Sequence, residues 1–325
     1  MVYLLISSAA FLISLILFIL ITAAVTSILY RRSFMASLVE LYLRIITVRG
    51  PDKILKDGFP EYRKKQLSKY KLPKTREKNV VIGEGVFENM EVITFTPKAC
   101  KDGKAILYLY GGGYVRRPRA HHIKYLTRLS KSTGCRVIAP LYLTASEDTP
   151  LGTYGVMTRL YTKLRQTYEK LVLMGDSSGG GLALGLSESI SANGERGADA
   201  LILFSPLVDI SLSSSELAAY EEKDPLIWIS NARCSSHAFA GGLPHDDYRV
   251  SPLYGNLTRL PPISLFTGDR ELLYPDVVRL HESLLRVGVS HRFTVGRGMN
   301  HVYQIYPIPE ARRSLAEVTD IIYKT

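Results

Sequence analysis

Of the 325 residues only three are cysteine, Cys100, Cys135 and Cys234, far apart and without metal-ligand spacing. An odd count at such distances excludes a disulfide framework and a cysteine-built metal site, and it favours a reducing compartment. There is no internal repeat and no low-complexity tract. A hydrophobic share of 46% and a charged share of 22% exclude a disordered or collagen-like chain. Charge is missing altogether from Val2 to Tyr30, where Leu, Ile, Val, Phe and Ala dominate. A bilayer core of ~30 Å needs about 20 apolar residues as a helix. A cleaved signal peptide has a charged start and an apolar core of about 7–15 residues. This segment lacks the first and exceeds the second, so residues 1–30 are predicted to form a single membrane anchor.

The charge that is present is placed unevenly. The net charge is +11, and residues 31–78 carry fourteen basic and five acidic side chains, a local excess of +9. The rest of the chain is close to neutral, which argues against nucleic acid as a partner. Basic residues directly after a spanning helix favour retention on the cytoplasmic side, where anionic lipid attracts them. The expected localisation is therefore a single-pass membrane protein with its body on the cytoplasmic face.

Residues 33–48 carry apolar positions at helical spacing, and Gly50-Pro51 ends them. The polar, basic stretch 52–78 reads as a connecting or cap segment with a further short helix. Beyond it, strand signals at Val92–Thr96, Ala105–Tyr110, Arg136–Leu141, Leu171–Met174, Ala200–Phe204, Ile263–Thr267 and His291–Val295 alternate with helical stretches. Those stretches lie near 121–132, 154–168, 180–192, 275–287 and 308–323. The alternation predicts an α/β fold with a mostly parallel sheet flanked by helices. Residues 211–248 break the rhythm, hold Trp228, and read as an inserted cap. The domain plan is an anchor over 1–30, juxtamembrane and cap helices over 31–85, and a catalytic domain over 86–325.

The chemistry centres on Gly175-Asp176-Ser177-Ser178-Gly179, a G-x-S-x-G pattern placed after a strand and before a helix. A serine on so tight a turn needs small neighbours, and the helix start behind it offers N–H groups to developing negative charge. Three glycines, Gly111-Gly112-Gly113, end the earlier strand at Tyr110 and let backbone approach a ligand closely. Gly111 and Gly112 are the expected oxyanion donors, with the N–H of Ser178 as a third. A serine nucleophile of this kind needs an acid and then a histidine downstream. Asp269, Glu271 and Asp276 follow the strand at 263–267, and Asp276 sits in the first turn of a helix, where a carboxylate is favoured for structural reasons alone. Asp269 and Glu271 remain as candidates for the acid. His301 follows the last strand at the same sheet edge, whereas His121, His122, His237, His245, His281 and His291 read as structural or surface residues.

These four motifs, in this order, resemble the hormone-sensitive-lipase-like α/β-hydrolases, and more narrowly the bacterial alpha/beta hydrolase-3 esterases. The resemblance covers about residues 85–325 and takes in Ser205-Pro206-Leu207-Val208-Asp209, Lys223-Asp224-Pro225-Leu226 and Ser251-Pro252-Leu253. It implies an α/β-hydrolase fold, with Glu271 as the triad acid beside Ser177 and His301. It also implies an ester substrate of small or short acyl size, with no cofactor and no metal. One departure is Tyr110, where the family usually has histidine. An amidase or deacetylase on the same triad, and a catalytically weak binding protein on a hydrolase scaffold, are the alternative readings. A homodimer is compatible with the sequence.

Overall fold

The computed structural model describes residues 2–47, 70–73, 77–100, 103–142, 144 and 149–325. The short helix expected within 52–78 lies largely outside the described residues. Eight strands form one sheet in the order β1-β2-β4-β3-β5-β6-β7-β8. They are β1 (Val80–Phe87), β2 (Met90–Pro97), β3 (Lys104–Leu109), β4 (Arg136–Pro140), β5 (Lys170–Asp176), β6 (Ala200–Phe204), β7 (Ile263–Gly268) and β8 (His291–Gly296). The first two make an antiparallel hairpin and β2 runs antiparallel to β4, while β3 to β8 run parallel to one another.

β1 lies before the first strand expected from the sequence, Val92–Thr96. It is an edge strand with one face in solvent, and Gly83, Glu84 and Gly85 dilute its alternation. The expected domain boundary at residue 86 therefore falls inside a strand. The central strands were easy to read because β5 and β6 are buried on both faces as near-continuous apolar runs.

Helices cover both faces. α1 (Val2–Leu29) and α2 (Phe34–Ile46) precede the sheet. α3 (Ala120–Thr133), α4 (Pro150–Thr167) and α5 (Ser177–Ala192) follow β3, β4 and β5. The 211–248 segment holds two short helices, α6 (Leu217–Glu221) and α7 (Ile229–Ala240). α8 (Tyr274–Val287) and α9 (Pro309–Lys324) complete the fold, α9 packing with α3 on one face and α4 with α5 on the other. The α5 helix starts at Ser177 rather than at 180, because the turn that presents the serine is itself the first turn of the helix. Five loops meet at the carboxyl edge of the parallel strands, following β3, β5, β6, β7 and β8.

α1 is long and apolar enough to cross a membrane over Phe11–Leu29, and its side chains there are largely exposed.

Candidate active site

The turn after β5 is where backbone geometry is most constrained. Ser177 has φ 53°, left-handed space that a serine enters only under constraint from its surroundings. The constraint comes from close crossing of chains. A Cβ on Gly179 would run into the carbonyls of Leu109 and Tyr110, and one on Gly175 into the backbone of Gly179. Only glycine at these two places lets β5 turn into α5 directly against β3. The Ser177 carbonyl also accepts the Leu207 N–H at 2.9 Å, which ties the turn to the loop after β6.

His301 reaches this serine from the loop after β8. Its Nε2 lies 2.9 Å from Ser177 Oγ and its Nδ1 lies 3.3 Å from Glu271 Oε2. Glu271 is wholly buried and accepts hydrogen bonds from the hydroxyls of Ser205, at 2.7 Å, and Thr267. Ser205 Oγ in turn accepts the Val302 N–H at 3.2 Å, so one hydroxyl joins the loops carrying the carboxylate and the imidazole. Burial works to lower the pKa of His301, but the hydrogen bond and charge of Glu271, helped by Asp224 and Asp176, outweigh it and raise it above the ordinary 6.5. Asp269 does not approach the imidazole; its Oδ1 accepts the Gly298 N–H at 2.7 Å and braces the loop that leads to His301.

The Gly111 and Gly112 N–H groups of the loop after β3 are not both free in the way the sequence suggests. The Gly111 N–H donates to Asp176 Oδ1 at 3.0 Å, so it is turned to that carboxylate and not to the serine. A Cβ on Gly111 would collide with Asp176 and Ser177, which is why the residue must be glycine. Gly112 N–H donates to Ser178 Oγ at 3.1 Å, and Tyr114 N–H to the same oxygen at 3.2 Å. Among the described residues, the N–H groups of Gly113 and Ser178 take no protein acceptor. Gly113 and Tyr114 both have positive φ, 62° and 60°, and the buried Ser178 hydroxyl helps hold that curl. Tyr110 stacks on Tyr142 at 4.6 Å between ring centroids, and the Tyr142 hydroxyl donates to the Tyr110 carbonyl at 2.7 Å. An aromatic pair thus braces the loop at the position where the resembling family usually has histidine.

Three residues to which the sequence reading assigns no role in the chemistry, His122 among those read as structural, are wired into the site. His122 Nε2 lies 3.2 Å from Asp176 Oδ2, and Tyr108 donates to Asp176 Oδ1 at 2.8 Å. Burial alone would raise the pKa of Asp176, yet His122, Tyr108 and the Gly111 N–H together hold it below the ordinary value. Asp224 accepts the Leu272 N–H at 2.8 Å, directly after Glu271. Burial pushes its pKa up to about 6, against the pull of His301. The signals existed in the Ser205 and Asp224 motifs, but sequence spacing cannot say which loop a side chain will meet.

A sheet of this order, with a strained serine heading the helix after β5, is the build of an ester-cleaving serine hydrolase. Residues 106–305 match the alpha/beta hydrolase fold family, and the chain belongs to it. An esterase of Acinetobacter venetianus is 29% identical over 221 residues, 66% of this chain and 73% of its own length. An acetyl-hydrolase of Streptomyces hygroscopicus is 27% identical over 232 residues, covering 70% and 77%. A candidate esterase from Staphylococcus aureus superposes with a TM-score of 0.79 at 28% identity over 86% of this chain and 95% of that one.

Proposed function

We propose that this is a membrane-anchored carboxylic-ester hydrolase working through Ser177, His301 and Glu271 and an acyl-enzyme. The observation that carries the reading is the line Ser177 Oγ, His301, Glu271, with 2.9 Å and 3.3 Å between successive partners. His301 takes the Ser177 proton as the oxygen attacks the carbonyl, and Glu271 steadies the imidazolium that forms. His301 then gives the proton to the leaving alkoxide, and water repeats the sequence to free the acid.

The negative oxygen of the tetrahedral intermediate needs donors that are not already spent. Gly113 and Ser178 supply them, and the Gly112 N–H, held by Ser178 Oγ at 3.1 Å, is near enough to be shared. Each donor is worth about 2.7–4 kcal/mol in comparable sites. Gly111 acts as a brace instead. The acetyl-hydrolase name of one relative favours a short acyl group. Ring stacking of Tyr114 on Phe239 of α7, at 3.8 Å, closes the loop from the side of the 211–248 segment and supports the same reading.

The anchor rests on α1. Its 28 residues span about 42 Å at 1.5 Å per residue, more than a hydrocarbon core of about 30 Å. The basic excess behind it favours the cytoplasmic side for the body.

Covalent labelling by a fluorophosphonate probe tests the chemistry. The wild-type chain is expected to be labelled and Ser177→Ala to be neither labelled nor active on an aryl acetate. Labelling of Ser177→Ala at an undiminished rate would refute the assignment.

A further inference from the structure

The turn from α1 into α2 is built onto the catalytic loops. Glu40 on α2 is a buried carboxylate ringed by Arg32, Arg44 and Arg270, the last two at 2.8 and 3.6 Å. Burial would raise its pKa, yet these guanidinium groups hold it below the ordinary value. Arg270 precedes Glu271, and its guanidinium lies over the Tyr30 ring at 3.6 Å. Arg32 donates to the Gly298 carbonyl at 2.9 Å, three residues before His301. Arg44 donates to the Lys223 carbonyl at 2.7 Å, next to Asp224. Ser33, the N-cap of α2, donates from its N–H and hydroxyl to Glu310 at 2.6 and 2.8 Å. Ala36 packs in one apolar cluster with Met299, Tyr303, Ile308 and Ala311. One face of α2 is thus clamped to the loops of Glu271 and His301.

Its other face is apolar and in solvent. Phe34 is 40% exposed, Tyr42 59%, Ile45 63% and Ile46 51%, a stripe at helical spacing on the side away from Glu40. Nothing in a water-facing surface requires four large apolar side chains in one row. The stripe begins five residues after the last residue of α1, so whatever surface α1 leaves is the surface α2 meets.

We infer that α2 lies in the bilayer interface with this stripe among the lipid chains, and that it holds the active-site edge against the membrane. This rests on the reading of α1 as an anchor and of the site as an esterase. The substrate class that follows is a short-acyl ester carried by a membrane-resident amphiphile, which reaches Ser177 from the bilayer without crossing water. The bilayer is the occupant the structure favours over a second copy of the chain, because the stripe is continuous with α1 and the flanking sequence is basic.

The experiment uses the full chain in phosphatidylcholine–phosphatidylglycerol vesicles. Hydrolysis of hexadecyl acetate dissolved in the bilayer is compared with hydrolysis of water-soluble 4-nitrophenyl acetate, so that only the alcohol differs. Ile45→Glu/Ile46→Glu alters exposed positions alone. It is expected to lower hexadecyl acetate hydrolysis by at least about tenfold, since each isoleucine buried in lipid is worth roughly a factor of ten or more in the seated population. The aryl acetate rate should stay within about twofold. Independently, Tyr42→Trp in a Trp228→Phe background should be quenched by brominated lipid. Absent quenching, or equal loss on both substrates, with the chain retained in the vesicles, overturns the proposal. Cross-linking of unquenched chains into dimers overturns it in favour of a second copy. If the chain leaves the vesicles in carbonate, the anchor reading itself has failed, and if neither ester is cleaved by wild type, the esterase reading has.

Discussion

Two carboxylates two residues apart hold different posts, and exchanging each for its amide separates them. Glu271 is buried, 3.3 Å from His301 Nδ1, and already accepts from the hydroxyls of Ser205 and Thr267. Glu271→Gln keeps the shape but cannot balance the imidazolium charge, and its NH2 group offers hydrogens where acceptors are required. Loss of the equivalent charge in a serine protease costs about 10⁴ in kcat. Here the contact is longer than a charge-assisted bond of about 2.7–2.9 Å, so a loss of at least about a hundredfold is expected. Asp269→Asn retains an oxygen for the Gly298 N–H and gives up only the charge on that bond. The difference is about 1 kcal/mol, or about fivefold in the ordered loop. Steady-state rates on an aryl acetate from about pH 5 to 9 measure both. His301 must be neutral to act, so wild-type activity falls as pH drops through a value above 6.5. Without Glu271 burial is less opposed, and what activity survives should persist to lower pH. Asp269→Asn should leave that limb in place. A crippled Asp269→Asn beside a mild Glu271→Gln would mean the two roles are exchanged.

Ser178→Ala removes the acceptor for the buried Tyr114 N–H and the half-buried Gly112 N–H, and a buried N–H left orphaned costs about 1–3 kcal/mol. Lower kcat by about tenfold or more and a lower urea midpoint are expected, whereas the sequence credited Ser178 with its N–H alone; wild-type behaviour would mean a water replaces the hydroxyl. His122→Asn withdraws the ring N–H that faces the buried Asp176 carboxylate, the other ring nitrogen accepting the Arg119 N–H at 3.1 Å, and a loss of about 1–3 kcal/mol in unfolding free energy is expected at neutral pH. Because the fold holds the pKa of Asp176 below 3.8, that contribution is present above this pH and fades in acid, so the gap between wild type and variant should narrow on acidification. Full-length chain should stay in the membrane pellet through an alkaline carbonate wash, and its recovery in the supernatant would rule out a spanning α1.

Much of this protein was legible from local pattern. Strand β5 and the Gly175 and Gly179 positions follow from short-range chemistry: buried parallel strands read as apolar runs, and a tight turn admits only small residues. The preference for Glu271 over Asp269 rests instead on the family resemblance, since both stand in the same loop after β7. Edge strand β1 escaped because one solvent-facing surface and two glycines leave no periodicity to detect. The donors around the serine escaped for a different reason. Whether an N–H is free depends on which acceptor from another loop lies beside it, and Asp176 takes Gly111 while Ser178 takes Gly112 only after β3 and β5 are adjacent. In the same way Ser33, Glu40, Arg44 and Arg270 are unremarkable surface types in a list. Only folding brings the start of α2 onto the Glu271 and His301 loops, because hydrogen bonds between residues more than two hundred positions apart carry no signature along the chain.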